Sequence, residues 1–213
     1  MATGKHRWTK QEEAVLDKLT TPRKIQDFLD SVEYSADPVY RCPRSVIRDR
    51  KAHCTDGALF AASALERLGE PALIIELTAV RDDDHLLAIY RKHGHYGAVA
   101  KSNYMSLRFR EPVYRSLREL AMSYFPFYYN LDWELSVRGY SSLLDLGKLG
   151  DLPWRFEDAA VDQVIDALIA VRHFKVLTPA MEAGLSLVDK RTYEACMAGA
   201  NVAGLYVPGG EKG

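Results

Sequence analysis

Residues 54–72 read CTDGALFAASALERLGEPA, from Cys54 to Ala72. Leu59, Phe60, Ala61, Ala62, Leu65 and Leu68 leave this stretch nearly apolar in its middle, so the helix it predicts belongs inside a protein. Gly69 stands where a C′ glycine ends a helix, and Pro71 keeps the helix from resuming. A central helix from about Cys54 to Leu68 follows. Next, Ala72–Thr78 reads as one continuous run, as in a central strand. Leu86–Arg91 and Tyr96–Lys101 flank Lys92-His93-Gly94-His95, a hairpin turn with a glycine. A buried helix followed by three such strands predicts an α+β fold in which the helix packs on an antiparallel sheet.

Outward from this stretch, Thr9-Lys10-Gln11-Glu12 forms a capping box ahead of Val15, Leu16 and Leu19. Thr21-Pro22 opens a second helix carrying Ile25, Phe28, Leu29 and Val32. Residues 33–50, with Pro38, Pro43 and many charges, read as loop. Downstream, a helix is expected from about Val113 to Tyr124, a loop-rich region from Trp133 to Trp154, and a long helix from about Glu157 to Phe174. These elements suggest one domain: N-terminal helices over 9–33, a core over about 40–104, a helical and loop extension over 105–207, and a frayed tail over 208–213.

Composition narrows the function classes. The 213 residues are 47% hydrophobic and 27% charged, with a net charge of −1, as in an ordinary soluble domain. No global field draws the chain to nucleic acid or to an anionic membrane. Three cysteines, Cys42, Cys54 and Cys196, make no disulfide framework and contain no CxxC. The N-terminal MATGKHRWTKQEE lacks an apolar signal region, so a reducing cytoplasm is the default expectation. No cofactor motif is visible: neither a phosphate-binding glycine loop nor a GxSxG elbow.

Cys54 opens the central helix, where unpaired N–H groups and the dipole favour a thiolate, and Arg50, Lys51 and His53 act in the same sense. The alternative is a small buried residue. His85 begins a strand and offers a base if that strand's start faces the helix head.

This order resembles the transglutaminase-like superfamily of the papain-like cysteine enzymes. Cys54-Thr55-Asp56-Gly57-Ala58 is similar to the family's Cys-x-Asp-x-Ala, and Gly69-Glu70-Pro71-Ala72 to its Gly-x-Pro-Ala helix end. His85, the strand Leu86–Tyr90, the glycine turn and Tyr96 are similar to its histidine motif. The resemblance covers about residues 40–104. It implies a papain-like core and acyl transfer from an amide through a Cys54 thioester, with His85 as general base and acid. Water as acceptor makes a peptidase or amidase; an amine makes a transglutaminase. The substrate would be a peptide, a protein or a small amide, with no cofactor and no metal.

The family's orienting aspartate falls on Ala100. Asn103 has suitable chemistry for that role and Ser102 the better strand parity, or the third member is missing. Tyr96, Arg108 and Arg110 are candidate substrate-binding residues, the arginines also reading as solvated charges at a helix start. Two other readings stand beside the enzyme: a binding or scaffold protein that keeps the fold, and a metal site around His93, His95 and Asp82–Asp84. The aspartates read more simply as a solvated turn, and the aromatic run Tyr124–Tyr129 as packing.

Overall fold

The computed structural model describes residues 6–206. Helix α1 (Lys10–Leu16) carries the expected capping box, and α2 (Pro22–Asp30) starts from a Thr21 cap with proline in the first turn. A two-residue strand β1 (Glu33–Tyr34) pairs in parallel with β2 (Lys51–Ala52), enclosing α3 (Pro43–Asp49). The expected loop over 33–50 thus holds a helix: Pro43 sits at its first turn, where the missing N–H is no loss, and Arg50 ends it in the left-handed region at φ 55°.

The central helix α4 (Cys54–Arg67) forms as expected, closed by Gly69 at φ 87°. Then come β3 (Leu73–Ala79), β4 (His85–Lys92) and β5 (His95–Val99), with His93 and Gly94 both at positive φ in a two-residue hairpin turn. Residues 110–124 divide differently from expectation. Arg110–Tyr114 is strand β6, and only Leu117–Met122 is helical (α5), capped by Ser116. Pro112 is tolerated because β6 lies at the edge of the sheet. Two strands, β7 (Val137–Ser141) and β8 (Leu144–Asp145), occupy the expected loop-rich region. The long C-terminal helix is shorter than expected: α6 spans Val161–Ala170 and strand β9 (His173–Lys175) follows. Helices α7 (Pro179–Ala183) and α8 (Lys190–Met197) complete the elements used here; the tail expected over 208–213 lies outside the described residues.

The main sheet is antiparallel, in the order β6-β5-β4-β3-β7-β9, with β8 beside β3. Both its faces are covered. On one, Ile74, Leu86, Ala88, Tyr90 and Val99 pack with Leu59, Phe60, Ala62 and Leu65 of α4. On the other, Ile75, Leu77, Leu87, Ile89 and Ala98 pack with Leu120, Ala121, Tyr124 and Tyr128. Strand β4 is therefore buried on both sides from His85 to Tyr90, which is why Leu86–Tyr90 carries no charge. The α+β arrangement of a central helix on an antiparallel sheet, with helices added at both ends, is the fold.

Candidate active site

The head of α4 is fixed by its own side chains. Asp56 is fully buried; Arg41 donates its backbone N–H to Oδ1 at 2.8 Å and His53 donates its own to Oδ2 at 3.1 Å. Burial pushes this carboxyl up to about 7. The aspartate of the Cys-x-Asp pattern thus anchors the preceding loop onto the helix. His53 Nδ1 accepts from the Thr55 backbone at 3.1 Å, and burial lowers its pKa to about 4. Gly57 is the contact with the segment just past β5: a Cβ there would stand 2.2 Å from Lys101 Cβ, so only glycine lets that segment come this close.

Cys54 is half-buried in the first turn of α4, and among the described residues its backbone N–H makes no hydrogen bond. Its Sγ lies 3.7 Å from the Asp84 carbonyl oxygen, as a thiol donor, and also meets the Leu86 backbone N–H. Burial pushes the thiol up to about 11, against the helix-start effect, so it is neutral at pH 7. The expectation of a thiolate activated by helix position and basic neighbours is corrected here: desolvation outweighs both.

His85 follows directly after Asp84, on the opposite sheet face. It pairs across the ladder with Leu77, and its ring lies 6.5 Å from Tyr124 and 6.2 Å from Tyr128. Its Nε2 donates to the Leu107 carbonyl at 2.8 Å, which leaves Nδ1 as the acceptor nitrogen. Burial lowers its pKa to about 4. No hydrogen bond joins Cys54 to His85; the sulfur rests on the backbone that flanks His85, and both residues line one cavity of about 30 Å³ at the head of α4.

The third partner differs from expectation. Asn103 pairs its amide with the backbone of Asn201, and Ser102 Oγ accepts from the Tyr104 N–H. The group that orients His85 is the Leu107 carbonyl, and no side-chain pattern could have announced a backbone acceptor. Ala100 is fully buried on the face opposite α4.

A cleft of about 740 Å³ opens beside Cys54, walled by Tyr34, Tyr40, His53, Asp83, Asp84 and, at its far side, the His173–Glu76 pair at 3.0 Å. Tyr34 reaches it because β1 pairs with β2 just before Cys54; its hydroxyl makes no hydrogen bond among the described residues. Sequence reasoning missed Tyr34, since a two-residue strand leaves no periodic signal. Tyr96, Arg108 and Arg110 do not line this cleft. Arg91 stacks on Tyr96, Arg108 pairs with Asp30 at 3.0 Å, and Arg110 bonds Ser123 while lying over Tyr124. They make packing and bracing contacts away from the Cys54 cleft, and Arg110 lines a separate cavity with Met105, Tyr114 and Phe127.

Two of the three aspartates are structural, while Asp83 is exposed as a solvated turn residue is. Asp82 accepts from the Ser136 hydroxyl and Asp84 from the Ala79 N–H at 2.8 Å, clamping the β3–β4 turn. His95 Nδ1 bonds the His93 carbonyl, and the described residues hold no group of three metal-ligating side chains. No described helix is long and apolar enough to cross a membrane.

No protein-family model matches the chain, and no curated protein does. Among solved structures it is similar to LapG of Legionella pneumophila in the EGTA-treated form and in a second structure, at 16% identity and a TM-score of 0.41 for each. The match covers 70% of this chain and 84% or 82% of the other.

Proposed function

We propose that the chain is a cysteine-dependent acyl transferase or hydrolase acting on an amide or peptide bond, with Cys54 as nucleophile and His85 as base and acid. The observation that carries this reading is the shared cavity: the start of β4 and the head of α4 bring the thiol and the imidazole to one site beside a substrate-sized cleft. His85 Nδ1 takes the thiol proton while Nε2–H stays on Leu107. The sulfur then adds to the substrate carbonyl carbon. Its oxyanion is met by the Cys54 N–H, with the Tyr34 hydroxyl as second donor. The proton on Nδ1 passes to the departing amine, leaving a thioester, which water or a second amine resolves. At rest both groups are neutral, so the thiolate forms only as the reaction proceeds.

A second reading, a binding protein that keeps this fold without chemistry, is favoured by one contact: the thiol donates to Asp84 rather than to His85. p-Nitrophenyl acetate separates the two. The enzyme reading expects one acetyl group on Cys54 by intact mass with release of p-nitrophenol, and a His85→Gln variant slower by about 10²- to 10⁴-fold. Equal rates in wild type and His85→Gln leave the binding reading standing.

A further inference from the structure

The chain's own C-terminal segment lies across this site. Residues Ala203, Gly204 and Leu205 form part of the cleft wall beside Cys54. Gly204 and Tyr206 close the small cavity shared by Cys54 and His85. Between Asn201 and Leu205 the backbone makes a single 3-10 turn, Val202–Gly204, with an exposed outer side.

The attachment is specific. Asn103 Nδ2 donates to the Asn201 carbonyl at 2.9 Å, and the Asn201 backbone N–H donates to Asn103 Oδ1 at 2.7 Å. One buried side-chain amide therefore satisfies both polar backbone groups of one residue, as a neighbouring β-strand would. It reads no side chain in doing so. Asn201 Nδ2 adds a bond to the Tyr34 carbonyl at 3.1 Å. Gly204 then lies flat on the Tyr34 ring: a Cβ at this position would stand 2.8 Å from Cε1 and 2.9 Å from Cδ1. Any larger residue must lift the segment or displace the ring.

We propose that residues 201–206 occupy, in cis, the polypeptide-binding groove of the Cys54 site, with Asn103 as the residue that reads substrate backbone and Tyr34 as the platform that selects a small residue. The inference rests on Cys54 being the reactive centre, and it names the substrate class: a polypeptide segment with glycine three residues beyond the one held by Asn103. A backbone N–H and C=O presented together are what any non-proline residue offers, so recognition through Asn103 suits a polypeptide better than a small amide. An internal occupant faces a high effective concentration, so an incoming segment must outcompete it. The resting chain accordingly holds its own segment over the small Cys54–His85 cavity, while the larger cleft beside the thiol stays open.

The test is the rate of Cys54 carboxamidomethylation by iodoacetamide at pH 9, followed by peptide mass spectrometry in the full-length protein. This reads access to the thiol and not catalysis, so it stands or fails apart from acyl transfer. Gly204→Val should lift the segment and raise the Cys54 rate about tenfold, with Cys42 unchanged and the circular dichroism of wild type. The heptapeptide Ala-Asn-Val-Ala-Gly-Leu-Tyr, added in millimolar excess, should return that rate to the wild-type value. The same peptide with valine for glycine should not. Asn103→Ala should also open the site, yet be protected poorly by the heptapeptide because the backbone reader is gone. If both folded variants label at the wild-type rate, the segment does not block the site. If they label fast but the heptapeptide protects neither, the groove does not take polypeptide; either result overturns the proposal. Should one variant fail to fold, the other decides.

Discussion

The thiol of Cys54 feels two opposed fields. Its helix-start position favours the anion by the aligned N–H groups, while its packing against the backbone of residues 84–86 strips it of water. Desolvation wins, and the alkylation rate of Cys54 should rise about tenfold per pH unit toward pH 11. A rate plateau near pH 7 would show an activated thiolate instead. His85 is buried neutral. Its folded pKa, about 4, lies below the ordinary value near 6.5, so the unfolded chain binds its proton first and stability is lost as pH falls from about 6.5 to about 4. Asp56 works in the opposite sense: its carboxyl, raised to about 7, contributes stability that is lost as pH rises from about 4 toward 7. Thermal melts at pH 7 and pH 5 should therefore show a smaller acid-induced drop in His85→Gln than in wild type. An equal drop would place the acid sensitivity elsewhere.

Among the elements, α4 packs tightly against the segment that follows β5, where Gly57 meets Lys101. Gly57→Ala drives a methyl into the Lys101 stem and cannot be relieved without moving the backbone around Lys101, so it should destabilise by about 1–3 kcal/mol or more in a denaturant titration. A neutral result would mean that the strand end yields. Helix α3 shows a different dependence. Its N-cap, Cys42, supplies no side-chain cap; instead Asp158, from far along the sequence, accepts from the Cys42 N–H at 2.8 Å and the Ser45 hydroxyl at 3.1 Å. Asp158→Ala should cost about 1–3 kcal/mol, and Asp158→Asn less, because the amide oxygen keeps one bond. Identical losses in the two variants would assign the effect to packing. These distant anchors also explain why α3 was invisible in the sequence: the Arg155 carbonyl that takes the Arg44 N–H and the Asp158 carboxylate lie ahead of another helix.

At the scale of the whole molecule, the sheet divides the interior into two cores, and the site forms where β4 begins, at the boundary between them. Cys54 belongs to the helix side and His85 to the far side, so the pair depends on the backbone of β4 and on the layer carrying Leu107, Tyr124 and Tyr128. Tyr128 also holds the β3–β4 turn through the Asp83 carbonyl. Tyr128→Phe should keep the fold but loosen that turn, visible as faster amide hydrogen exchange over residues 80–86 with exchange over α4 unchanged. Uniform acceleration across both regions would mean global destabilisation instead.

The parts legible in the amino-acid order are those whose signals are local. The Thr9–Glu12 capping box, the Gly69 stop, the apolar run of α4 and the His93-Gly94 turn act through neighbouring residues, and they mark out the helix-on-sheet core. What tertiary structure decided are the distant partners. Asp158 anchors the start of α3, the Leu107 carbonyl takes the orienting place sought in Asn103, and Asn103 turns to Asn201. The arginines Arg108 and Arg110 are drawn into bracing contacts away from the cleft. Hydrogen bonds to backbone groups carry no residue code, and desolvation depends on what the rest of the chain brings near. For that reason the state of the thiol, the third member of its site and the segment that covers it appear only once the chain is folded.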